Sequence, residues 1–529
     1  MICRGAVDGY LNRELADSRI VKRLDRVLFD AMLARMVPAP VFHLPPFWYQ
    51  KASFLLATKY DGYLLYLDPG LGKTKASLDV FAWRKKAKQC RRALVLVPAI
   101  ENVGEWLMEA KKHRPELLCL GLEGDRADRK ALVRSKADVI VATYAGFLNL
   151  VCRRRRRRDG RLGKMTMDQD KAMDLGRRYG FLVMDEIAEC LASHTTRTYQ
   201  ALYWFAKTCR YRLGLTGTAF DNPHQVWPQF RIVDGGRTLG KTLGLFRAAF
   251  FTEKPKVWGY GSEFTFRRDM EGKLKRLMAN RSFRLTSDDS GLDLPPCRGG
   301  IEAKDGPIRK DVIFTDELWA YYERIEEQLR NAEGNPTQLE NAFLRMRRLT
   351  SGYVVAKTDQ GDRIKVEFKT NPKLDALMAY LRRIPKGRKA LVFYWYKETG
   401  DLIEKAFKKA RLRYGRIDGG VAKGKRKAAK LAFQDGDLPI LMGNKAIAFG
   451  LNFQAGSYVL FYETPTSPKT RIQVERRISK RVGRKGTAFI IDLVVRRSID
   501  VKILRALMQR YDLYEAIMSG GRRKVRLGT

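Results

Sequence analysis

Short apolar runs rich in Val, Leu and Ile recur along the first half of the chain, each separated from the next by a helix-length stretch. YLLYLD (63–68), ALVLVP (93–98), DVIVATY (138–144), FLVMD (181–185) and YRLGLTG (211–217) read as strands. Continuous apolar runs of this length fit strands covered on both faces, and helices between them fit a largely parallel sheet. A second series begins with LDALMAYLRRIPKGRKALVFYWY. It continues through RYGRIDG (413–419), PILMGN (439–444), SYVLFYE (457–463) and GTAFIIDLV (486–494). The pattern thus predicts an α/β chain of two similar lobes with a cleft between them, and ligands at the carboxyl ends of the strands.

The remaining segments divide the chain further. Residues 1–40 contain RLDRVLFDAMLARMV, a helical pattern that reads as an accessory element; residues 41–300 form the first lobe. Within that lobe, 151–165 reads as an exposed basic loop and 225–290 as a helical extension. Residues 301–372 read as a linker and an amphipathic helical protrusion, 373–500 as the second lobe, and 501–529 as a basic C-terminal helix or tail.

Composition narrows the partners. Hydrophobic residues make up 45% of the 529, enough to build cores, yet 102 Lys and Arg stand against 58 Asp and Glu, a formal charge of +44. So large a surplus calls for a polyanion, and phosphates gain both attraction and counterion release. No apolar run approaches the ~18 residues of a membrane span, and the first residues lack the apolar core of a secretory signal. The seven cysteines and four histidines are scattered without ligand spacing, so neither a zinc site nor a disulfide framework is expected.

Candidate chemistry is concentrated at three strand ends. Asp68-Pro69-Gly70-Leu71-Gly72-Lys73-Thr74 lies between an apolar strand and a helix. Successive backbone N–H groups there can wrap phosphates, Lys73 can reach the β and γ phosphates of ATP, and Thr74 can complete a Mg²⁺ shell. Leu67 stands where the usual P-loop pattern has its first glycine. Asp185-Glu186 closes another strand, Asp185 suited to hold Mg²⁺ through water and Glu186 to activate the attacking water. Thr216-Gly217-Thr218 closes a third, where hydroxyls can sense phosphate loss. Gln50 follows Phe47, Trp48 and Tyr49, placing an amide able to read adenine beside a flat aromatic surface.

Taken in order, PFWYQ, DPGLGKT, LVLVP, ATY, MDEIAE, LTGTAFDNP, LVFYWY, YGRIDG, GNKAIAFGLNFQAG and QVERRISKRVGRKG resemble the Swi/Snf-like branch of the superfamily 2 helicases and translocases, particularly its compact bacteriophage members. The resemblance spans roughly residues 42–500. It implies two RecA-like P-loop NTPase lobes and an ATPase that moves on duplex DNA. By position, Gln50 matches the adenine reader, Gly70, Gly72, Lys73 and Thr74 the phosphate and Mg²⁺ loop, and Asp185 and Glu186 the metal and hydrolysis pair. Thr216, Gly217, Thr218 and Asn222 match the coupling segment, and Gly450, Leu451 and Asn452 the GLN segment.

In the last motif Gln473 is followed by Arg477, Arg481 and Arg484. Arg481 fits an arginine finger in either register, with Arg477 or Arg484 as its companion. The DEAH continuation common in the family is replaced by Ile187-Ala188, which puts communication with Thr216 and Thr218 in question.

The run Arg153, Arg154, Arg155, Arg156, Arg157 and Arg158 is too charged for core and is expected to touch nucleic-acid phosphates or to be simply solvated. No zinc-finger or helix-turn-helix spacing accompanies the basic stretches, so backbone contact is expected rather than base reading. Two other functions stay open: an RNA or single-strand DNA unwinding helicase of another superfamily 2 branch, and a basic nucleic-acid-binding subunit of a larger assembly. Replication, repair and transcription proteins are conceivable partners, and a phage origin implies the host cytoplasm.

Overall fold

The computed structural model describes residues 26–156, 162–255, 262–292, 295–303, 305–330, 336–357, 363–448, 453–479 and 486–518. In the first half, the strands are β1 (Gly62–Leu67), β2 (Ala93–Val97), β3 (Cys119–Gly121), β4 (Val139–Thr143), β5 (Cys152–Arg156), β6 (Leu162–Met167), β7 (Phe181–Asp185), β8 (Tyr211–Leu215), β9 (Phe251–Pro255), β10 (Ser262–Phe266) and β11 (Ser282–Leu285). Seven of them form one sheet in the order β11-β1-β8-β7-β2-β4-β3, and every pairing in it is parallel. β1 and β2 are buried along their whole length, which is why their sequences run apolar without alternation.

The chain divides into two compact units. The first takes up the chain as far as Lys254 and then Phe264–Leu292; the second continues to Leu513. Its strands are β12 (Cys297–Arg298), β13 (Ile308–Val312), β14 (Tyr353–Lys357), β15 (Arg363–Glu367), β16 (Lys389–Phe393), β17 (Tyr414–Ile417), β18 (Ile440–Gly443), β19 (Gly456–Phe461) and β20 (Ala488–Val495). Its main sheet runs β12-β20-β19-β16-β18-β17, with β13 also pairing β20, again parallel throughout. The period-2 geometry of a strand sorts neighbours onto opposite faces. Leu391 and Phe393 join one core with Val459 and Phe461, while Ala390 and Val392 join the other with Leu460 and Ile491.

Four expectations need correction. Residues 225–290 are not simply helical: β9 and β10 pair with each other, and β11 is the edge strand of the first sheet, in register with β1. Its SFRL sequence is fully buried, but it adjoins the helix Glu271–Ala279 and shares its basic character, which hid the change of period. The boundary also falls earlier than 300, because Cys297–Arg298 pair with β20. Within the arginine-rich segment 151–165 the described residues include two strands: β5 and β6 pair antiparallel, Cys152 opposite Met167 and Arg153 opposite Thr166. Such a two-stranded ribbon can expose both faces, so it needs no apolar pattern. Arg157 and Arg158 lie outside the described residues.

In 301–372, the helices Asp316–Arg330 and Pro336–Thr350 are joined by β13 and by the antiparallel pair β14–β15, so the segment is not only linker and helix. Leu318, Tyr322, Met346 and Leu349 from the two helices share a core with Val312, Ile499 and Ile503. The helix Arg26–Ala34 lies within the N-terminal accessory segment, and Ile499–Met518 carries the chain into its basic tail.

Candidate functional site

Parallel pairing sends the carboxyl ends of β1, β8 and β7 to one edge of the first sheet, and β8 lies between the other two. Those ends lead into GLGKT, TGT and DE, so three sequence-distant segments become neighbours. The turn after β1 places Gly72 at φ +73°, in the left-handed region, as the cap of the helix Lys73–Lys86. A Cβ at Gly72 would also lie 2.3 Å from Gln50 Nε2, so glycine is required by backbone and by space. The free N–H groups of this helix start and its dipole favour an anion such as a phosphate. Lys73 Nζ donates to the Leu67 carbonyl at 2.8 Å, which folds its side chain back over the loop.

Gln50 stands in the first turn of the helix Trp48–Lys59 and is buried. Its Oε1 accepts from the Phe47 N–H at 3.1 Å, and its Nε2 donates to the Leu71 carbonyl at 3.4 Å. The amide therefore sits against the phosphate loop with both ends engaged. Beside it the rings of Phe47 and Tyr49 stack, with centroids 5.6 Å apart.

At the end of β7, Asp185 Oδ2 accepts from the Trp106 indole at 2.9 Å and Oδ1 from the Glu186 N–H at 3.0 Å. Burial pushes the Asp185 carboxyl up to about 6, and the adjoining Glu186 charge adds to that; the Trp106 bond and Lys73 pull it down. Glu186 itself adopts φ +47°, strained for a residue with a side chain. This conformation turns its carboxylate toward β8. There Thr216 Oγ1 lies 2.9 Å from Glu186 Oε2 and 3.0 Å from the Thr218 carbonyl. One hydroxyl proton serves two acceptors, so it can be donated to only one at a time. The contact needs no histidine after the Asp-Glu pair; Ile187 and Ala188 are instead fully buried.

Two residues that sequence reasoning passed over, Arg284 and Trp106, tie the strand ends to their surroundings. Asp68, fully buried, pairs with Arg284 of β11 at 2.8 Å and accepts from the Ser287 N–H at 2.9 Å. The same Arg284 Nη1 lies 3.0 Å from the Tyr66 carbonyl and 3.3 Å from that of Gly217. One guanidinium thus bridges β1, the phosphate loop and the TGT turn. Gly217 approaches the loop so closely that a Cβ would sit 2.9 Å from Pro69 Cδ. Trp106, which orients Asp185, is 79 residues away from it in sequence.

Other predicted residues are placed differently. Asn222 Oδ1 accepts from the His224 N–H at 3.0 Å and caps the short 3₁₀ turn Pro223–Gln225 just beyond the TGT turn. In the second unit Gln473 lies on the helix Pro468–Ile478, 4% exposed, with neither amide atom hydrogen-bonded. Buried polar groups without partners are rare and costly. Arg477 is in the last turn of the same helix. Gly450, Leu451, Asn452, Arg481 and Arg484 lie outside the described residues.

The oxygen donors of Thr74 and Asp185 fit a hard cation such as Mg²⁺, which takes one or two protein ligands and completes its shell with water and substrate phosphates. A cation there would also offset the burial and the Glu186 charge that together raise Asp185. Among the described residues no cluster of three or more His, Cys, Asp or Glu side chains is arranged for a metal.

A parallel α/β unit that presents a GLGKT helix start, an Asp-Glu pair and a Thr-rich turn on adjacent strand ends has the architecture of a P-loop nucleotide-binding protein. Residues 49–297 match the SNF2-related domain, and residues 372–486 match the helicase conserved C-terminal domain. The two matches follow one another along the chain in the order of the motifs that resemble the Swi/Snf-like branch. Similar curated proteins include the nuclear protein STH1/NPS1 of Saccharomyces cerevisiae, 19% identical over 86% of this chain and 33% of that one. The ISWI chromatin-remodeling complex ATPase ISW1 of the same yeast is 21% identical over 90% of this chain and 41% of its own length. The chain spans a third to about two-fifths of the length of these relatives. Among solved structures, the Sulfolobus solfataricus SWI2/SNF2 ATPase core in complex with dsDNA is 21% identical, with 91% of this chain and 94% of that one covered and a TM-score of 0.39.

Proposed function

We propose that the chain is a nucleic-acid-stimulated ATPase that uses ATP and Mg²⁺ to translocate along duplex DNA and remodel it. The observation that carries this reading is the contact of Thr216 Oγ1 with Glu186 Oε2, made beside the GLGKT loop. It links the hydrolytic carboxylate to a turn that can respond when the phosphate leaves. The resemblance of the ordered motifs supports duplex DNA as the track, and the similarity to the ISWI chromatin-remodeling complex ATPase ISW1 supports ATP-driven remodelling.

In this reading the backbone N–H groups from Gly70 to Thr74 and the Lys73 ammonium hold the phosphates, and Gln50 reads the adenine. Thr74 and Asp185 would hold Mg²⁺, which would neutralise charge on the phosphate oxygens. Glu186, with Oε2 engaged by Thr216, uses Oε1 to orient the attacking water and take its proton. Arg481, with Arg477 or Arg484, supplies guanidinium charge to the transferred phosphoryl group. Gly217, Thr218, Asn222, Gly450, Asn452 and Gln473 belong to the coupling path. The run Arg153 to Arg158 contacts DNA phosphates without reading bases.

A bacteriophage setting in the host cytoplasm rests on the motif likeness alone, and fractionation of an infected host tests it. Replication, repair or transcription proteins as partners rest on the same footing, and affinity capture from that host tests them.

Steady-state ATP hydrolysis with no polymer, single-stranded DNA, duplex DNA or RNA tests the function. Duplex DNA is expected to stimulate most, Lys73→Ala to abolish turnover, and Arg481→Ala to lower turnover while ATP still binds. Equal rates under all four conditions at low salt, or stimulation by RNA alone, would contradict it.

A further inference from the structure

The amino-terminal edge of the first sheet carries a separate cationic cavity of about 430 Å³. Asp61 precedes β1 and Arg210 precedes β8; both line the cavity, with Tyr203, Lys207, Arg212 and Arg231. The phosphate loop follows the other end of β1, so five residue steps at about 3.3 Å each place the cavity about 17 Å away, on the opposite edge. ATP phosphates on the loop cannot reach it.

Its charge is poorly compensated from within. Four cations face one carboxylate, and Asp61 approaches Arg210 only to 3.9 Å, with both side chains well exposed. Asp234, the nearby acid, is occupied by the backbone N–H groups of Gly236, Arg237 and Thr238. Arg212 donates through Nη1 to the Ala206 carbonyl at 3.0 Å, while its buried Nε has no partner. An unsatisfied buried donor on a cation is costly unless something accepts from it.

The cations are also held in place. Lys207 Nζ lies 3.7 Å from the Trp204 ring centroid, and Arg231 stacks 5.1 Å from that of Tyr203. Arg231 Nη1 and Nε donate to the carbonyls of Gly235 and Lys241, which fixes its fork. Lys207 and Arg210 are exposed at the rim, while Arg212 and Arg231 sit deeper. Preset cations at two depths beside aromatic faces suit consecutive phosphates of a strand.

We infer that this cavity is a second phosphate-binding site, which grips the backbone of a nucleic-acid segment other than the motor's track. The inference goes beyond the motor reading and does not depend on it, since a chain that bound DNA without hydrolysing ATP would still use the site.

The test compares the full chain with Lys207→Glu/Arg210→Glu, whose exposed positions leave the fold intact, as a thermal melt verifies. Each protein is saturated with an immobilised short duplex and offered a second, labelled duplex over a salt series, with duplex-stimulated ATPase measured in parallel. The intact chain is expected to capture the second duplex and the variant to lose about tenfold or more. The slope of log affinity against log salt should fall by about 2, one ion released per neutralised phosphate. ATPase stimulation should be unchanged, and pyrophosphate should displace the second duplex from the intact chain. Capture and salt slope equal in the two proteins would overturn the inference. If the variant lost only pyrophosphate binding and kept duplex capture, a free anion would be the ligand and the nucleic-acid assignment would fall. A loss of duplex-stimulated ATPase with capture of the second duplex retained would assign Lys207 and Arg210 to the motor's own track and overturn this site, leaving the motor reading standing.

Discussion

Replacing Thr216 with valine isolates the contact that joins hydrolysis to coupling. The side chain keeps its volume, but Glu186 Oε2 loses a donor at 2.9 Å and the Thr218 N–H loses its acceptor at 3.3 Å. A hydrogen bond to a charged group contributes about 1.5–3 kcal/mol. Each 1.36 kcal/mol corresponds to a tenfold change in rate, so the upper bound is a drop of about 10- to 150-fold. Glu186 is only half-buried, so water can take over part of the bond, and the expected loss in kcat lies near tenfold. Thr216 has no polar contact with Lys73 or Thr74, so ATP affinity should hold. Steady-state ATPase at saturating duplex, with binding of a fluorescent ATP analogue, separates the two. Thr216→Ser, which restores the hydroxyl, should recover most of the rate. Wild-type kcat in Thr216→Val, or a loss of ATP affinity as large as the loss of rate, would refute the reasoning.

Arg284→Gln takes the cation from the buried Asp68 carboxylate and should cost about 3–5 kcal/mol of stability, while Asp68→Asn combined with it should cost less than the two singles summed; additive denaturant midpoints would contradict the bridge. Gln473→Leu should raise the melting temperature of the second unit by about 2–4 °C for ~1 kcal/mol, since it removes two unpaired buried atoms, and should also lower duplex-stimulated ATPase. A rise in stability with undiminished activity would make Gln473 structural only. His224, packed 3.8 Å from the Phe251 ring centroid, is pushed down from 6.5 to about 4, by burial first and then by Arg247. Folding therefore favours the neutral ring; this stability is present above pH 6.5 and is lost as pH falls toward 4. Urea midpoints across that window should fall less in His224→Phe, and equal slopes would remove His224 as the cause.

What could be read from the sequence was contiguous. GLGKT, the Asp-Glu pair and TGT each carry their chemistry within a few neighbouring residues, and each ends a long apolar run. Parallel strands alone then bring them to one edge. What escaped is contact across distance. Arg284 reaches Asp68 over 216 residues, and nothing in SFRL beside a basic helix marks it as a strand next to β1. The β5–β6 pair escaped because CRRRR carries no apolar alternation, and its pairing exists only once Met167 lies opposite Cys152. Asn222 was read by its position in a motif; that its side-chain Oδ1 caps the adjoining turn is visible only in the structure.

Release of a third strand from a duplex tests translocation most directly. A triplex-forming oligonucleotide is placed at increasing distance from the point of loading, and its displacement is followed with ATP, without ATP, and with Lys73→Ala. The account predicts ATP-dependent release, a lag that lengthens in proportion to distance, and none with the variant. ATP hydrolysis without release, or release that ignores ATP, would contradict it.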